Sequence, residues 1–68
     1  MSNESLENFL SIVSEMDLKK SSKLRLKSIY DAKENGVSTD NLRIETVFNE
    51  LGISKEYQNR LMPYLSSE

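Results

Sequence analysis

The sequence predicts a compact all-α bundle of about four short helices, the last two forming a hairpin around Gly52. Three observations predict it. Apolar residues recur at helical spacing in four separate stretches. The chain holds only two glycines and one proline, and both glycines fall between these stretches, where helices end. No segment alternates long enough to form a strand with a partner. With 68 residues, one helical domain spanning 1–68 is expected, its core thin.

The first helix is expected from about Glu4 to Met16. Leu6, Phe9, Leu10, Val13 and Met16 follow the spacing of one buried face, with Ser2, Asn3 or Ser5 as caps. Glu4 and Glu7 suit the positive end of its dipole. The second helix starts at one of two places: Asp17 caps a long one, or Ser21 or Ser22 caps a shorter one. It ends near Asn35, with Gly36 as the left-handed cap. Leu26, Ile29 and Tyr30 make its inner stripe. The segment Lys23-Leu24-Arg25-Leu26-Lys27 alternates as a strand does, but a lone short strand has no partner, so the helix stands.

The third helix is expected to open at Ser38, with Val37 and Leu42 as a hydrophobic staple. Ile44, Val47, Phe48 and Leu51 form its apolar face; Gly52 closes it, and Ile53 folds back on Phe48. Ser54 then caps the fourth helix, which buries Tyr57, Leu61, Tyr64 and Leu65. Pro63 is expected to kink or end it near Met62, leaving 66–68 as a frayed tail.

Composition narrows the chemistry. The chain has no cysteine and no histidine, which excludes disulfides, zinc fingers and thiol or imidazole catalysis. Asp40, Glu45 and Glu50 lack calcium-loop spacing, and the two glycines stand too far apart to cradle a phosphate. No metal and no cofactor is therefore expected. Carboxylate pairs such as Glu4 with Glu7, or Asp31 with Glu34, fall on outward helix faces, where solvated surface charge is the expectation. A non-catalytic protein follows. Apolar runs do not exceed two residues, and the first residues carry no export pattern, so no membrane and a cytoplasmic location are expected.

Three features carry functional content. Lys19, Lys20, Lys23, Arg25 and Lys27 place five of nine cations within nine residues. They suit contacts to phosphates or to an acidic protein surface, or else pair with the acidic first helix. Around Gly52, the run Val47-Phe48-Asn49-Glu50-Leu51-Gly52-Ile53-Ser54-Lys55-Glu56 resembles the turn of a helix-turn-helix motif. That resemblance implies a recognition helix presenting Lys55, Gln58, Asn59 and Arg60. Three residues depart from the motif: Phe48 where a small side chain is usual, Gln58 where an apolar one is, and Pro63 within the recognition helix. Third, Leu24, Met62 and Tyr64 are candidates for an apolar interface.

The function expected is that of a small regulatory protein that binds a larger protein partner as adaptor or inhibitor. The alternative is a small dimeric DNA-binding transcriptional regulator using the helix-turn-helix-like element. The net charge of −2 counts against DNA. Short helices that need packing make a homodimer an expectation too. Small size associates such a chain with phage, plasmid or bacterial regulation.

Overall fold

The computed structural model describes residues 3–68 and contains four helices: α1 Glu4–Glu15, α2 Lys20–Glu34, α3 Asn41–Glu50 and α4 Lys55–Leu65. No strand occurs among the described residues. The expected all-α bundle, with its hairpin around Gly52, is what the chain forms. α4 packs against each of the other three helices. Its Leu61 and Leu65 are fully buried, beside Phe9 from α1, Leu26 and Tyr30 from α2, and Ile44 and Phe48 from α3. The Phe9 ring stacks on Tyr30 with centroids 4.8 Å apart and meets Tyr64 at 6.2 Å, so aromatic contacts bind α1 to α2 and α4.

Both glycines do what helix ends require. After α2, the Gly36 amide donates to the Lys33 carbonyl and the Val37 amide to the Ala32 carbonyl. After α3, the amides of Gly52 and Ile53 donate to the carbonyls of Asn49 and Phe48. This double bond pattern needs a left-handed residue, and φ is +86° at Gly36 and +71° at Gly52. Ile53 is buried in the same cluster as Phe48, as expected.

Other ends differ from expectation. Asn3 precedes α1 without a side-chain cap bond; Ser2 lies outside the described residues. Leu10, assigned to the buried face of α1, is 43% exposed. α2 begins between its two expected starts, at Lys20 after Lys19, and no side chain caps it. Its first turn has no acidic residue, so Lys19, Lys20 and Lys23 sit at the positive end of the dipole against electrostatic preference.

α3 starts two residues after the position that Ser38 would set. Asp40 is its cap, and its carboxylate accepts from the Arg43 amide at 2.8 Å. A charged acceptor suits the dipole better than a hydroxyl does. The shift moves Leu42 to the second helical position, pointing outward at 76% exposure, so it forms no staple with the exposed Val37.

Pro63 does not end α4. The helix continues to Leu65, and the Ser66 amide still reaches the Met62 carbonyl. Two physical reasons allow this. The carbonyl that loses its donor belongs to Asn59, an exposed residue, and burial of Leu61 and Leu65 on either side holds the last turn in place. The tail at 66–68 is not frayed. Thr39 donates its amide to Ser67 Oγ (2.8 Å), and its carbonyl accepts from the Ser67 amide (3.0 Å). Thr39 Oγ1 donates to the Leu65 carbonyl, and the Asn41 amide donates to the Glu68 carboxylate at 3.1 Å.

Two outcomes follow for stability, read from urea denaturation. A Cβ added at Gly52 would meet nothing within 4 Å, so Gly52→Ala is strained by backbone conformation alone and should cost about 1–2 kcal/mol. Removing residues 66–68 should cost about 1–2 kcal/mol through the lost clasp on Thr39, whereas a free tail would give no change.

Candidate functional site

A depression of about 320 Å³ lies between α2 and α3. Its apolar members are Ile29 and Ala32 from α2, Val37 from the connection, and Ile44 and Val47 from α3. Ile29 and Ala32 are spaced by three residues, as are Ile44 and Val47; the first pair is half-buried at the margin of its stripe and the second is buried at the floor of the depression. Val37 stays 55% exposed there. The polar members include Ser28, Ser38 and Thr39, and the charged ones are Arg25, Asp40 and Arg43.

The basic segment does not form one surface. Lys20, Lys23 and Lys27 share a side of α2, while Arg25, two residues from both Lys23 and Lys27, projects to the other side. Arg25 pairs across to Glu50 of α3 at 3.0 Å and lines the depression; Lys27 pairs with Asp31 at 3.1 Å. Neither pairs with α1. Lys19, Lys20 and Lys23 have no ion pair among the described residues.

The expected recognition surface on α4 is broken up. Gln58 does not point outward. It is 5% exposed, and its amide donates to the Ile53 carbonyl at 2.8 Å and to Asn49 Oδ1 at 3.2 Å. A side chain that ties the Gly52 turn to α4 cannot read a base edge. Arg60 is turned to α1, where it grips both oxygens of Glu15 at 2.9 and 3.2 Å and lies 5.2 Å over the Tyr57 ring. Lys55 is exposed and only loosely paired with Glu45, at 3.9 Å. The exposed residues of α4 are Lys55, Glu56, Asn59, Arg60 and Pro63, and of its two cations Arg60 is held by Glu15.

The apolar interface candidates separate as well. Met62 and Tyr64 are half-buried and pack on the core, so they are structural neighbours of Leu61 and Leu65. Leu24 remains 59% exposed, one helical turn before Ser28 and therefore next to the depression. Sequence reasoning missed Arg43 and the exposed Val37 as site residues. Asp40 before a helical stripe was a legible signal for the true start of α3, and with it for the outward aim of Leu42.

Elsewhere the chemistry is that of ordinary surface. No group of three or more acidic side chains among the described residues is placed to hold a metal ion. No helix among them is long and apolar enough to cross a membrane. The Glu15 carboxyl is held below its ordinary pKa, first by its hydrogen bond from Arg60 and further by Tyr57, while burial opposes the shift. Desolvation, followed by the bond to Glu15, raises Tyr57.

The sign of the Glu15 shift sets an acid dependence. Folding favours the ionised carboxylate, so its contribution is full at neutral pH and is lost as pH falls through the lowered value. The stability gap between the wild type and Glu15→Gln should therefore narrow as pH falls through and below the ordinary glutamate range, as urea midpoints across pH would show. Compared with known protein families, with curated proteins and with solved structures, the chain has no match.

Proposed function

We propose that this protein is a small non-catalytic binding module that docks a segment of a larger protein along the α2–α3 depression. The observation that carries the reading is Val37, which stays 55% exposed in a depression otherwise floored by the buried or half-buried Ile29, Ala32, Ile44 and Val47, with the exposed Leu24 one helical turn from its Ser28. Two helices flanking an apolar channel suit the insertion of side chains from a partner's helix or extended segment. Exposed apolar side chains grouped at one place on a small surface are a mark of an interaction site.

The alternative, DNA binding through α4, has less support. With Gln58 buried and the exposed Arg60 held by Glu15, Lys55 is the cation that helix can offer, and the chain is acidic overall. Lys20, Lys23 and Lys27 would have to carry the phosphate contacts alone.

The test is a pull-down from the native host, with and without nuclease, using the wild type and the variants Val37→Asp and Leu24→Asp. Both positions are exposed, so the variants should fold with stability within about 0.5 kcal/mol of the wild type. A partner that survives nuclease and is lost at least tenfold in both variants is the expected result. Capture that nuclease abolishes, capture that ignores both substitutions, or no capture above background would each overturn the reading. A mobility shift on DNA, abolished by reversing Lys20, Lys23 and Lys27 to Glu, would install the alternative.

A further inference from the structure

We infer that the occupant of the α2–α3 depression is an acidic amphipathic segment, its apolar side chains seated among Ile29, Val37 and Val47 and its carboxylates held by Arg43 and Arg25. This rests on the protein-binding reading above and adds the chemistry of the partner.

The charges that line the depression carry the argument. They are Arg25, Asp40 and Arg43. The Asp40 carboxylate is already engaged, accepting from the Arg43 amide at 2.8 Å as the cap of α3. The Arg43 guanidinium has no ion-pair partner among the described residues. Arg25 is paired with Glu50 at 3.0 Å, but both side chains are about half exposed, and such a pair is worth little and exchanges readily. The anion is thus engaged while the cations remain available. In a chain with a net charge of −2, the unpaired Arg43 stands beside the exposed Val37 in one depression.

The kind of cation sharpens the inference. The chain has three arginines, Arg25, Arg43 and Arg60, and six lysines. Arg60 shows what arginine does in this fold: it holds both carboxylate oxygens of Glu15. The other two arginines both line the depression, whereas no lysine does. A planar guanidinium matches a carboxylate in two parallel bonds and carries less hydration than an ammonium, so it suits a carboxylate beside apolar surface. A phosphate backbone fits this site poorly, because it would leave the exposed Val37 uncovered. The start of α3 adds a favourable dipole for negative charge near Arg43.

The experiment is display selection of random peptides of about 12 residues on the immobilised wild-type chain. It is repeated on Arg43→Glu, on the double variant Arg25→Glu with Arg43→Glu, and on Val37→Asp. Arg43→Glu keeps the backbone amide that Asp40 caps and places an acidic residue in the first turn of α3, so the fold should be retained, as circular dichroism would verify. Peptides enriched in Asp or Glu among Leu, Ile or Phe are expected from the wild type. A selected peptide should bind at least tenfold more weakly to Arg43→Glu and to Val37→Asp, and more weakly as salt rises. The double variant should select basic peptides instead.

Neutral or basic peptides that still require Val37 would overturn the acidic partner while leaving the docking reading intact. Peptides indifferent to Val37→Asp, or no enrichment at all, would overturn both. A concentration-dependent dimer in sedimentation, lost in Arg43→Glu, would overturn it in favour of a second copy of the chain as occupant.

Discussion

Everything in this fold depends on the burial of one helix by three. α4 gives Leu61 and Leu65 to the centre, and α1, α2 and α3 each close on it from a different side. Without disulfide or metal, a chain of this size has a total stability of roughly 3–10 kcal/mol. Truncating a single buried Leu or Phe typically costs 2–5 kcal/mol, so no part of that contact is spare. The Phe9–Tyr30 stack matters for the same reason: it joins α1 and α2, which otherwise meet chiefly through α4.

That dependence explains which elements were legible in the sequence. The four apolar stripes were, because each helix must bury one face and the period of a helix is fixed. The two glycine caps were, because only a residue without a side chain adopts the left-handed turn at Gly36 and Gly52 without strain. Pro63 misled because its local penalty is smaller than the tertiary gain from Leu61 and Leu65, and no local rule weighs the two. Asp40 displaced Ser38 as cap for a related reason. Thr39 is held by a tail that lies 28 residues away in sequence, which fixes the connection in a conformation that no nearby residue announces.

The proposed docking surface was legible only in pieces. Arg25 was singled out for its place in a basic cluster, and Leu24 for falling off its stripe; Arg25 lines the depression, and Leu24 stands one helical turn before its Ser28. Their relevance comes from Val37, Arg43 and Val47, which are distant in sequence and belong to no shared local pattern. Gln58 shows the opposite failure. An amide in a helical register reads as a surface group, yet here it satisfies the backbone of a turn whose carbonyl would otherwise be buried without a donor. The remaining lysines of α2, unpaired at the positive end of its dipole, have no structural role to account for them.

The clasp between Thr39 and the end of the chain has a consequence beyond stability. Ser38, Thr39 and Asp40 all line the depression, and Thr39 is bonded to Ser67 through both its amide and its carbonyl. One wall of the depression and the chain end therefore open as a single unit rather than as two mobile segments. Thermodynamic linkage then runs both ways: a ligand that holds the wall in place tightens the clasp by the same factor by which the clasp favours the ligand. Amide exchange at Ser67, outside the depression itself, would then report occupancy of the proposed docking site.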